Sequence, residues 1–107
     1  MSFGKDKLVK LLEVSDPLRV DSNLEKYFKN EKHKPYLLLS TRKDKKYMIM
    51  DPSGNRIHFG DINYQDFTKH QDTDRQTRYL TRANNIKGNW MDNKYSPNNL
   101  SINLLWQ

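Results

Sequence analysis

The sequence predicts an α+β fold: a small single domain in which a three-stranded antiparallel β-meander is packed on one side by short helices. Three observations point to it. Apolar, aromatic-rich runs follow one another at residues 36–41, 46–50 and 56–59, divided by turn sequences. Helical patterns stand before and after them. The length, 107 residues, suits one domain with one modest core.

Residues 5–14 carry Leu8, Leu11 and Leu12 at i, i+3, i+4, the spacing of a helix face. Ser15-Asp16-Pro17 stops that helix, because the residue before a proline avoids helical dihedrals. Residues 18–20 read as an extended link. Ser22-Asn23-Leu24-Glu25 has the form of a capping box, so a second helix is expected from Ser22 with Leu24, Tyr27 and Phe28 on one face. Pro35 ends this region. Residues 1–35 form an N-terminal helical segment, either core or a partner-binding arm, and residues 36–107 form the compact α+β domain.

Strand 36–41 leads through a polar turn into strand 46–50. Asp51-Pro52-Ser53-Gly54-Asn55 is a turn with a mechanism: Asp first, Pro with φ preset, Gly late to take positive φ. Strand 56–59 follows, with Gly60 as its release. Short loops make antiparallel pairing the default. Tyr64 and Phe67 suggest one helical turn. A longer helix is expected at 73–86, capped by Asp72 or Thr73, with Tyr79, Leu80, Ala83 and Ile86 as its apolar face. Asp74 and Arg78 are spaced for an i, i+4 ion pair. The closing run Ser101–Trp106 is too apolar to float and should dock.

Composition narrows the class. There is no cysteine, so disulfides and thiolate metal sites are excluded. No apolar run reaches membrane-spanning length, and the charged N-terminus does not read as a signal peptide. Twelve aromatic residues argue for a folded chain. The formal net charge is +6. Its sources are two: Lys26, Lys29, Lys32, Lys34, Arg42, Lys43, Lys45 and Lys46 in one window, and the helical stripe Arg75, Arg78, Arg82 at i, i+3, i+7. Such groups hold phosphates or an acidic partner, with Tyr36, Tyr47 and Tyr79 available to stack on bases.

The stretch His58–Arg82 also gathers Asp61, Asp66, Asp72, Asp74 and His70. A magnesium-dependent nuclease would use such acids. Yet Asp72 and Asp74 stand where helix-capping acids belong, and His70-x-Asp72 lacks a standard metal-ligand spacing. No nucleophile elbow, phosphate-cradling glycine loop or HExxH occurs. The expectation is a protein without catalytic residues, cofactor or metal.

Taken in order, Lys46-Tyr47, His58-Phe59-Gly60, Asp66–Asp72, Asp74-Arg75, Arg78–Arg82, Trp90 and Leu100–Trp106 resemble a family of short, functionally unassigned proteins encoded by nucleocytoplasmic large DNA viruses, over roughly residues 36–107. The chain departs from that pattern at Ala83, where a histidine is expected. It departs again at Asn99, Ile102 and Asn103, where aromatics are expected. The resemblance transfers no active-site residue. It implies a non-enzymatic virion component, minor capsid or capsid-associated, found in the virion and in host cytoplasm during assembly. Its partners would be larger virion proteins, with DNA as a further partner and no membrane insertion. The alternative expectation is a nucleic-acid-binding protein using the two basic groups.

Overall fold

The structure, a computed structural model, describes residues 3–107, with side chains from Asp6 onward. Helix α1 spans Phe3–Val14. Leu11 and Val14 are the apolar residues it buries, beside Lys7; Leu8 and Leu12 are 46% and 48% exposed. The sequence places all three leucines on the core face, but α1 turns its Leu11–Val14 edge inward.

Helix α2 spans Pro17–Tyr27, so it begins five residues before Ser22 and absorbs the expected link. Asp16 is its N-cap and accepts from the backbone N–H of Leu18 (3.1 Å) and Arg19 (3.4 Å). Pro17 therefore ends one helix and opens the next, since a first-turn proline has no amide to satisfy. The Ser22–Glu25 capping box is a coincidence inside that helix. Val20, Leu24 and Phe28 are at most 1% exposed. Residues 11–28 thus belong to the same core as the sheet.

The sheet has the order β1-β2-β3, with β1 at Leu38–Leu39, β2 at Lys45–Met50 and β3 at Arg56–Asp61, all antiparallel. Strand β1 is far shorter than 36–41, and Tyr36 is 84% exposed. Its ladder ends where other partners compete. The buried Lys7 ammonium donates to the carbonyls of Ser40 (2.6 Å) and Arg42. Burial lowers the Lys7 pKa, against the pull of Asp44. The 51–55 turn forms as expected, with Asp51 accepting from the amides of Ser53 and Asn55, both at 2.9 Å.

Strand β3 runs through Gly60 to Asp61, which pairs with Lys45. Gly60 does not release the strand; it adopts φ +83°, and a Cβ there would lie 2.9 Å from Leu105 Cδ1. The chain's tail presses onto the sheet at this point. Helix α5, Pro97–Leu100, continues into a π-helical turn, Ser101–Leu105, and Leu100, Leu104 and Leu105 are at most 1% exposed. The tail packs with α2 in one core against the sheet, and residues 46–49 of β2, whose side chains alternate between its faces, are all buried. The sheet is covered on both faces along β2, where the sequence predicts cover on one.

Helix α3, Phe67–His70, and helix α4, Thr73–Asn84, complete the fold. Asp72 caps α4 by accepting from the amides of Asp74 and Arg75. These bonds, Arg75's first, lower the Asp72 pKa. The helix stops at Asn84, so Ile86 lies outside it and is 54% exposed. Asn84 and Asn85 bond back to the carbonyls of Leu80 and Thr81, which closes the end. No described helix is long and apolar enough to cross a membrane.

A buried polar chain joins these parts. Tyr47 OH donates to Ser15 Oγ (2.7 Å), leaving that hydroxyl to donate to Thr68 Oγ1 (3.3 Å), which donates to Asp66. Lys46 Nζ meets the other oxygen of Asp66 at 3.0 Å, with both side chains at most 3% exposed. Every donor points toward the carboxylate, so the network is satisfied without a clash of protons. Burial drives the Lys46 pKa down while Asp66 opposes it, and burial pushes the Tyr47 phenol up.

Candidate nucleic-acid interface

Helix α4 turns one face away from the core. Arg75, Arg78 and Arg82 lie on it, as their spacing requires. They face a cleft of about 640 Å³ whose other walls are the ends of β2 and β3, the Tyr64 loop and the tail. Lys45 adds a fourth cation, and Asp61 is the one acid in the lining. Lys46 also contributes to the floor, but its ammonium is held by Asp66.

The three arginines have no hydrogen bond or ion pair to a described side chain. Asp74 does not bridge to Arg78, contrary to expectation; the charged atoms stay more than 4.0 Å apart, and Asp74 sits in the first turn of α4, where acids favour the helix N-terminus. Arg75 is half-buried, while Arg78 and Arg82 are exposed. Three guanidinium forks in one concavity, none of them paired with an acid, repel one another unless an anion enters.

The wall is rigid. The Tyr79 and Trp106 rings stack at 4.1 Å with 6° between their planes, and Gln76 Nε2 donates to the Trp106 carbonyl at 2.8 Å. Burial raises the Tyr79 pKa. His70 packs on the other side of Trp106, with ring centroids 5.3 Å apart. His58 also lines the cleft, and its Nδ1 lies 2.7 Å from Ser40 Oγ. Ser40 Oγ accepts from the Arg42 amide, so its proton points to His58. Burial, then the charges of Arg42, Lys7 and Arg56, hold this imidazole below its usual range. The shift favours the neutral imidazole at this edge of the cleft.

The eight-residue basic window does not form one surface. Lys45 reaches the cleft and Lys46 is buried. Lys32 and Lys34 line a separate hollow beside Glu31 and Tyr95. Lys34 is paired with Glu25 at 2.7 Å. Lys26, Lys29, Arg42 and Lys43 are solvated. The Lys46 assignment is corrected outright: burial of its ammonium removes it from any surface. Of the candidate stacking rings, Tyr36 is exposed but does not line the cleft, Tyr47 is buried and Tyr79 is engaged with Trp106; a ring outside that set, Tyr64, is 68% exposed and stands at the cleft. The i, i+3 spacing of Tyr64 and Phe67 predicts a shared helical turn, but α3 begins only at Phe67 and Tyr64 lies in the loop before it.

The acids disperse. Asp66 is buried, Asp72 caps α4, and Asp61 accepts from the Asn63 amide at 2.9 Å. No group of three His, Cys, Asp or Glu residues that could hold a metal ion occurs among the described residues.

Residues 37–83 match a family of unknown function (DUF5754), a little under half of the chain. Comparison with curated proteins and with solved structures gives no match. The matched span holds Lys45, Tyr64, Arg75, Arg78 and Arg82, and ends one residue after the last arginine. The tail that forms the opposite wall lies beyond it.

Proposed function

We propose that this protein binds nucleic acid, with the phosphate backbone held by Arg75, Arg78, Arg82 and Lys45. The observation that carries the reading is the set of three arginines in one cleft without internal partners. Guanidinium forks match phosphate oxygens in pairs. Asp61 is the one acid lining the cleft with them. The role is one of binding, and no residue is assigned to catalysis. The test is a binding isotherm over a range of salt. Log affinity should fall linearly with log salt as counterions are released. The variant R75A/R78A/R82A should lose about two units of that slope, given about 0.7–0.9 per contact. A slope that does not change on this substitution sinks the reading.

A second reading follows the sequence resemblance: a small non-enzymatic virion component packed against larger virion proteins. What favours it is an apolar surface on the first two helices. Leu8, Val9 and Leu12 of α1 are 46%, 56% and 48% exposed, and Leu18 of α2 is 83% exposed. On α1, Leu8, Val9 and Leu12 share one face by helical spacing, and a contiguous apolar face of this kind suits contact with a partner. Particle fractionation checks it. The protein should remain with genome-emptied particles at fixed stoichiometry; departure with the DNA supports the first reading instead.

A further inference from the structure

The geometry points to a single strand of nucleic acid as the cleft's ligand, with one base stacked on Tyr64; we infer this on the assumption that the cleft binds nucleic acid at all. The first argument is shape. A helix reads duplex DNA by entering a major groove about 12 Å wide, so its basic face must protrude. Here the basic face of α4, although turned away from the core, borders a cleft instead of standing clear of the fold. Arg75, Arg78 and Arg82 share a concavity with Gly60, Asn98 and Leu105 on the facing walls. The sheet and tail thus stand opposite the arginines, where a groove-reading helix has open space.

The second argument is size. About 640 Å³ lies within the range of pockets that hold small organic molecules. A nucleotide unit fits that volume, and a duplex does not. The third is the aromatic ring. Tyr64 is 68% exposed, its hydroxyl has no partner among the described residues, and its amide bonds to the Asp61 carbonyl at 3.3 Å. The side chain therefore stands free on an anchored loop, beside the cations. Single-strand sites combine these two parts: cations that track the backbone and an aromatic platform for a base. Stacking on a ring is indifferent to base identity, so the site should tolerate sequence.

Fluorescence anisotropy with four probes tests this: a short DNA oligomer, the matching RNA oligomer, the corresponding DNA duplex and a free mononucleotide. A single-stranded oligomer should bind more tightly than both duplex and mononucleotide. Y64A should weaken it by about five-fold or more, the alanine-substitution range for one stacked base, and Y64F should restore it. Tighter RNA than DNA places a 2′-hydroxyl contact in the site, and the reverse places none; each supports a single-strand ligand. Duplex binding as tight as the single strand, or equal binding by the mononucleotide, overturns the inference while leaving the arginine cleft in place. Binding indifferent to Y64A also overturns it. Absence of binding by all four probes, or binding unaffected by R75A/R78A/R82A, removes the cleft reading itself. Because Tyr64 makes no buried contact, Y64A should melt with the wild type.

Discussion

Two sets of basic residues sit within one small domain and have opposite fates. Lys46 is sealed under the tail, its ammonium 3.0 Å from Asp66, which also closes the chain of hydroxyls from Tyr47 through Ser15 and Thr68. Arg75, Arg78 and Arg82 line the same cleft, with no ion pair to a described acid. The buried pair is structural, because a charge removed from water must have its partner beside it. The arginines are left with water as their counterpart, and an incoming anion can displace that water. Basic residues in a sequence are equivalent in charge; what separates them is whether the fold supplies an acid.

Substitutions that treat the two sets alike should expose the difference. Asp66→Ala strands the Lys46 ammonium in the core and should cost about 3–5 kcal/mol of stability, read by urea denaturation. A loss under about 1 kcal/mol would falsify the assignment of the pair as buried and mutually dependent. Gly60→Ala comes next. It forces a Cβ against Leu105 and a side chain into φ +83°, and a residue held in such a conformation costs about 1–3 kcal/mol. Thermal melting measures it, and the same variant should disturb the cleft wall that Leu105 forms.

The triple variant R75A/R78A/R82A should behave oppositely. Its melting should stay within about 0.5 kcal/mol of wild type, as for surface changes away from packed features, while its salt-dependent binding declines. A severe loss of stability would show that the arginines hold the fold after all.

The smallest effect is a pH dependence from the histidines. The His70 pKa lies below its usual range, first through burial and then through Arg75. Its Nδ1 accepts from the Asp72 amide at 2.9 Å, and its Nε2 is buried without a partner among the described residues. The folded state therefore resists protonation more than the unfolded chain. Stability is full above the unfolded value of about 6.5 and declines as pH falls from there toward the lower folded value. His58 acts in the same direction. Urea midpoints from pH 7.5 down to 5 should fall, and His70→Phe should flatten the curve.

The meander, the Asp51–Asn55 turn and the Asp72 cap were all legible in the sequence, since each depends on neighbours a few residues away. So was the arginine stripe, since helical spacing alone puts Arg75, Arg78 and Arg82 on one face. The errors share a cause. Asp16-Pro17 looks like a stop, and only packing of Val20 and Leu24 reveals that a helix starts there. Strand 36–41 looks uninterrupted until Lys7, more than thirty residues earlier, captures the carbonyls of Ser40 and Arg42. Lys46 counts as surface charge until Asp66, twenty residues later, meets it.

By itself, then, the sequence determined the α+β class, the order of the strands, the Asp72 cap, the Asp51–Asn55 turn and the phase of α4, because these follow from local dihedral preference and residue period. Only the tertiary structure decided that the tail closes over Gly60, that Lys46 is neutralised and that Tyr64 joins three arginines at one cleft. Those outcomes depend on which distant groups are brought within bonding distance, and burial then sets whether a charge is matched inside the fold or left facing water.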